Sequence, residues 1–266
     1  MATTSVSEPV GGATAAGADQ AGAWNRIGRN AGYMAGSGLL IGTLLFLLDA
    51  ADLLGTGPQY HATAAGPLQD QANYYVALFA HQHRILWDII ARDTVFPLAF
   101  LALIVLALAV RNLVGGHQPE AQLMVAFVTI GGIFSILADL TFLGAAEYWR
   151  ATGWMADPPA SMVAVGRAAE AIDTLTHWPE AIGLVILAAG VVFLGRLCRA
   201  RDELPTRLGS LAYVEALLLV GVAVTGLVPA DTFNQILGLA TGVLIGPALA
   251  AWLGWHLGRL DKERAE

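Results

Sequence analysis

Apolar residues run along this chain in six stretches, each close to the roughly 20 residues a helix needs to cross a hydrocarbon layer about 30 Å thick. They predict spans over 33–54, 90–110, 123–145, 177–195, 208–228 and 233–257. Spans two and four are each preceded by polar residues at helical spacing, and are expected to continue outward as amphipathic helix from about 73 and 163. Residues 55–72 contain Pro58, Pro67 and several glycines, which is loop chemistry, and 152–159 reads likewise through Asp157-Pro158-Pro159. Residues 1–30 are rich in Ala, Gly, Ser and Thr with no apolar period, so a disordered tail is expected there. It is not a secretory signal, because the apolar run after Arg26 and Arg29 is longer than a signal core of roughly 7–15 residues. The expected organisation is a tail over 1–30, a membrane domain over 31–260 and a short tail over 261–266. The fold class is all-α, a polytopic bundle of six transmembrane helices.

Orientation comes from the basic residues. Arg26, Arg29, Arg111, Arg196, Arg199, Arg201, Arg207, Arg259, Lys262 and Arg264 share one side of the predicted membrane, against Arg84, Arg92, Arg150 and Arg167 on the other. The excess places both termini in the cytoplasm. Composition agrees with a membrane protein: 56% of residues are hydrophobic and only 13% charged, where a soluble domain carries about 25% charged residues. Thirteen arginines against one lysine, with abundant Ala and Gly, suit a GC-rich bacterial genome and hence a multi-pass protein of the cell membrane. The net charge of −7 and the lack of a basic stripe give no reason to expect nucleic acid. The bilayer itself is the first expected partner. Cys198 is the only cysteine and forms no internal disulfide; among Arg196, Arg199 and Arg201 it reads as an inert boundary residue.

No internal repeat stands out. Pro97, Pro179 and Pro247 fall within or near spans and mark possible kink sites. Gly131-Gly132 and the series Gly238, Gly242, Gly246 permit close helix contact, the series by its small-xxx-small spacing.

The informative feature is where the acids lie. Asp49 is 16 residues beyond Tyr33 and Asp139 is 16 beyond Leu123; Asp93 precedes Val110 by 17 and Glu180 precedes Arg196 by 16. With a helical rise of 1.5 Å, all four lie roughly 24–26 Å from the cytoplasmic edge. Charge is expensive at membrane depth, so such acids are functional-site candidates by default. They also fall on helical stripes: Glu170, Asp173, His177 and Glu180; His81, Arg84, Asp88 and Arg92 with Asp93 on the flank; Asp139, Glu147 and Arg150; Asp49 and Asp52. Turned inward, these stripes form a polar vestibule open to the outer leaflet. The plainer reading is a structural polar network, with Asp88, Glu147, Glu170 and Asp173 interfacial and paired with nearby arginines. Glu215, the one deep acid of the cytoplasmic half, reads as a helix-packing hydrogen bond in its protonated form.

His177 beside Asp173 and Glu180 reads as a proton carrier rather than a ligand, and no metal or other cofactor is expected. His81 and His83 are two apart and face different ways. Trp87 and Trp178 lie at the level of the acids and are candidates to wall a pocket, although tryptophans near span ends ordinarily anchor a helix at the interface. The chain carries no nucleophile elbow, P-loop, dinucleotide fingerprint or Cys-x-x-Cys, and Asp49-Ala50-Ala51-Asp52 is at most half of an aspartate-rich prenyltransferase motif. The wide first outer loop, the Arg111 turn and the Arg196–Arg207 turn with Leu204-Pro205 resemble those of bacterial six-helix integral membrane proteins without assigned activity. That resemblance implies a fold and no chemistry.

Three functions are compatible with this pattern. The first is an acid–base enzyme acting on a lipid-soluble, isoprenoid-like molecule, with Glu180, Asp139 and His177 as proton donors and acceptors and Asp49, Asp52, Asp93, Trp87 and Trp178 binding the substrate. The second is a proton-coupled carrier or ion-binding transport component. The third is a non-catalytic scaffold or partner subunit.

Overall fold

A computed structural model describes residues 15–50, 53–55, 57, 61–63, 66–152, 162–227 and 231–265. The elements are α1 (Ala15–Ala50), α2 (Pro67–Arg84), α3 (Leu86–Val114), α4 (Pro119–Thr152), α5 (Met162–Ala200), α6 (Thr206–Gly226), α7 (Asp231–Leu239), a π-helical segment (Ala240–Ile245) and α8 (Gly246–Ala265). No strand occurs among the described residues. Six helical stretches are long and apolar enough to cross a membrane: Gln20–Asp49, Leu86–Val114, Pro119–Gly144, Glu170–Ala200, Thr206–Gly226 and Phe233–Glu263. The chain is a multi-pass membrane protein with an all-helical fold. Each predicted span overlaps one of these stretches.

The spans form a closed ring. α1 packs on α3, α3 on α4, α4 on α5 and α5 on α6; α6 meets α7 and the π segment, and α8 returns to α1. Arg26 near the start of α1 pairs with Asp261 near the end of α8 at 3.5 Å, so the first and last spans close the ring side by side. Their contact is intimate because it lacks side chains: a Cβ on Gly32 would sit 2.6 Å from the Ala250 carbonyl and from the Gly254 Cα. The α4–α5 seam uses the same device. A Cβ on Gly131 would approach the Leu187 nitrogen to 2.6 Å, and Gly183 packs back against Phe134 and Ser135. In lipid no water is released between apolar helices, so this close backbone packing carries much of the association.

Three expectations need correction. The disordered tail over 1–30 does not extend so far, since α1 begins at Ala15; alanine is the best helix former, and buried Asn25, Gly28 and Ala31 seat this part of the helix against its neighbours. Residues 1–14 lie outside the described residues. The helix expected to lead into span two is a separate element, because α2 ends at Arg84 and α3 starts at Leu86 after Ile85 leaves helical geometry (φ −103°, ψ 24°). Span four, in contrast, runs unbroken from Met162. Span six is interrupted by the π segment, where the Gly246 N–H returns to the Thr241 carbonyl. Its cause is local: Pro247 has no N–H to continue the α ladder, and single π turns absorb such a defect. The 153–161 loop and parts of the 55–72 loop lie outside the described residues; Asp70 holds what is described of the latter by accepting the Thr63 N–H at 2.7 Å and the Thr63 hydroxyl.

Candidate functional site

The ring of helices surrounds an axial cavity of about 600 Å³. At the end away from the termini its wall includes Asp49 of α1, Arg92 and Asp93 of α3, Asp139 of α4, and His177 and Glu180 of α5. Below that level the wall turns aliphatic and aromatic through Phe96, Phe100, Leu106, Leu187 and Val191, and it closes near Val110, Met124, Leu194 and Leu253. From Asp93 to Val110 along α3 the cavity runs 17 residues, roughly 25 Å. The result is a long cavity, charged at one end and mostly apolar along the rest.

The four carboxylates expected at one depth therefore open into one space. Helical phase explains it: on α3 and α5 the cavity-lining residues recur at three- and four-residue steps, Asp93–Phe96–Phe100–Leu103 and His177–Glu180–Ala181–Leu184. Glu180 and His177 expose their side chains to this space, whereas Asp93 is buried in its wall. Asp139 lies within electrostatic reach of Glu180, Asp93 and Arg92. One oxygen of Asp93, one of Asp139 and the Ser135 hydroxyl are buried with no hydrogen-bond partner among the described residues. Such groups are unusual in a folded protein, and three of them beside a cavity present hydrogen-bonding capacity to an occupant. Pro97 adds to this, because it cannot donate to the Asp93 carbonyl one turn earlier.

Two residues outside the expected set organise the mouth. Arg92 pairs with Asp93 at 3.0 Å, and its guanidinium lies 5.8 Å from the ring centroids of both Phe46 and Phe142. It stands among four acids, held by α3 but clamped by aromatic faces from α1 and α4. His81, buried on α2, sets Nε2 3.0 Å from Asp49 Oδ1, while the Arg84 guanidinium lies 3.4 Å from its Nδ1. Arginine only donates, so Nδ1 accepts and the Nε2–H is left for Asp49. Through this contact α2 is tied to the cavity mouth. Sequence spacing gave His81 and Arg92 a shared stripe but no partners, since both partners come from elsewhere in the chain.

The remaining candidates separate. Trp87 and Trp178 are exposed (58% and 53%) and do not line the cavity. Each neighbours a polar inward residue, Asp88 or His177, and one residue along a helix is a turn of about 100° away. They fit membrane anchoring. Asp52 lies outside the described residues, as do the side chains of His83, Glu147, Arg150 and Asp173. Glu170 is paired with Arg167 at 2.7 Å, in keeping with a structural role. Asp88 is not interfacial: it is fully buried, and neither carboxyl oxygen has a hydrogen-bond partner among the described residues. The break at Ile85 puts it in the first turn of α3, near Arg92 and Asp49. Glu215 lines the deeper cavity and makes no hydrogen bond from its buried Oε2, so the helix-packing bond expected of it is not formed among the described residues. No cluster of three metal-ligating side chains occurs among the described residues. Cys198 is buried.

No family model matches this chain, and neither the curated proteins nor the solved structures contain a match.

Proposed function

We propose that the cavity binds a lipid-soluble, single-chain molecule of isoprenoid type and that the acids at its mouth perform proton chemistry on it. The observation that carries this reading is the wall of the cavity, charged at one end and apolar for most of its length. Its volume of about 600 Å³ falls in the range of roughly 300–1,000 Å³ typical of small-molecule sites. With the termini in the cytoplasm, as the arginine bias argues, the mouth faces the opposite leaflet.

In the proposed step one carboxyl, Glu180 or Asp139, transfers its proton to an alkene carbon, and the other carboxylate or His177 removes a proton from a neighbouring carbon. The substrate is isomerised or cyclised with no co-reactant, and the enzyme ends with its proton count unchanged. Phe46 and Phe142, already facing the Arg92 cation, provide aromatic faces that tolerate transient positive charge. Asp49 and Asp93 orient the donors through His81 and Arg92.

The test is a lipid inventory of the protein extracted in native-membrane nanodiscs. A single-chain isoprenoid should be enriched over bulk lipid, depleted by Ala107→Trp, which fills the apolar floor, and retained but unconverted in Glu180→Gln and Asp139→Asn. An unchanged lipid profile in Ala107→Trp removes the binding reading, and undiminished conversion in both amide variants removes the acid–base roles. One observation favours the carrier reading instead: Glu215 shares the cavity with the mouth acids. A pH-dependent flux in proteoliposomes that needs Glu215 would select it.

A further inference from the structure

Partway down the cavity, α6 brings Glu215 against the π segment of span six. Glu215 is buried (5% exposed), faces the cavity and has no hydrogen bond from Oε2 among the described residues. No charged side chain among the described residues acts on it. Thr43 of α1 and Thr241 of the π segment line the same cavity, among aliphatic neighbours such as Leu39. The Thr241 hydroxyl is buried without a partner among the described residues. Glu215 Oε1 and the Thr241 carbonyl lie 3.0 Å and 2.7 Å from the single point where a Cβ on Gly246 would stand, and Thr43 Oγ1 abuts Gly242 on the adjoining turn. The backbone adds another acceptor. In an α-helix the Gly242 carbonyl would take the N–H of Gly246, and in a π-helix that of residue 247; here Gly246 donates to Thr241 and residue 247 is proline.

We infer that Glu215, Thr241, Thr43 and the freed carbonyl of the π segment form a binding site for an alkali-metal cation. An unpaired carboxylate at membrane depth demands compensation, and the polar groups that share this part of the cavity wall, the hydroxyls of Thr43 and Thr241 and the Thr241 carbonyl, offer neutral oxygens, which is the ligand chemistry of hard cations. One carboxylate matches one positive charge. An interrupted helix is a recurrent way of presenting main-chain carbonyls to such ions inside a membrane. Glycine at 246 and 242 is part of the construction, because a side chain at 246 would stand between Glu215 Oε1 and the Thr241 carbonyl and one at 242 would displace Thr43. Leu39 and Thr43 mark this level on α1, ten and six residues short of Asp49, so the site lies roughly 9–15 Å below the mouth acids. It is separate from the proposed proton chemistry and stands or falls without it.

The experiment is thermal unfolding of the full chain in detergent, with NaCl, KCl or LiCl titrated against choline chloride at constant ionic strength. At least one alkali cation should raise Tm saturably, by about 5 °C or more at a hundredfold excess over its Kd. Glu215→Gln should abolish the shift. Thr241→Val should raise the half-saturating concentration about 2- to 10-fold, as loss of one polar contact does, while Asp139→Asn should leave it unchanged. The inference is overturned by a response no greater than that to choline, by a shift that survives Glu215→Gln, by an unaltered midpoint in Thr241→Val, or by loss of the shift in Asp139→Asn, which would place the ion at the mouth. If Glu215→Gln does not fold, the Thr241→Val midpoint decides.

Discussion

The two levels of the cavity keep their carboxylates in opposite company. At the mouth, Asp49, Asp93, Asp139 and Glu180 share a space with Arg92, and Asp49 is further held by His81. Deeper down, Glu215 has neither a charged neighbour nor a hydrogen bond from Oε2 among the described residues. The mouth is a network in which every acid has a charged partner or a charged rival; the deeper level is a single group facing neutral oxygens. A network is weakened by the loss of its hub, whereas a lone buried acid is itself the burden. The same substitution type should therefore have opposite signs at the two levels.

The largest effect is expected from Arg92→Leu. Removing one partner of a buried ion pair costs about 3–5 kcal/mol because the other charge is stranded, and here the stranded acids are several. Chemical denaturation in detergent should show the loss, and an unfolding midpoint within error of the native chain would refute the hub role. Next comes Glu215→Leu, measured with choline as the only cation. Replacing a buried carboxyl that lacks a partner by a side chain that packs should be neutral or stabilising, by up to about 3 kcal/mol. A clear destabilisation would show that Glu215 has a partner in the empty-site state. His81→Phe should cost about 1.5–3 kcal/mol, the value of a hydrogen bond to a charged group, and should loosen α2, read as faster amide exchange over 67–84. Unaltered exchange there would sever the proposed tie between α2 and the mouth. The smallest change belongs to Trp178→Leu, which should shift stability by no more than about 0.5 kcal/mol and leave ligand content intact; depletion of the bound lipid would return Trp178 to the pocket wall.

These contrasts also show which parts of the molecule can be read directly from the residues. Span number and approximate placement follow from composition, because a hydrocarbon layer imposes one length on every helix that crosses it. The shared depth of Asp49, Asp93, Asp139 and Glu180 follows from counting, since helical rise is constant. Their common cavity agrees with the stripes they occupy. Contacts between distant segments were not legible. Arg92 is one polar residue among several until Phe46 and Phe142 close over it from two other helices. Asp88 reads from sequence as close to the surface because nothing local announces that Ile85 breaks the helix and places it in the buried first turn of α3. The start of α1 was missed for a related reason: the Ala-rich segment before residue 30 carries no apolar stripe, and its helix is fixed by glycine contacts with α8, more than two hundred residues away. Proline at 247 was visible, but a kink and a π turn are equally good answers to its missing donor, and only the packed structure distinguishes them.

The seam of Gly32 with Gly254 has a consequence for biogenesis. Because α1 and α8 are neighbours, the wall around the cavity stays open on one side until the eighth helix has been translated and inserted. Until then the acid-bearing interior faces acyl chains, at a heavy cost in solvation. Ribosomal products cut short before residue 246 should thus be unstable in the bilayer and fall to quality-control proteolysis, whereas the same α8 supplied as a separate polypeptide should restore a sealed compartment.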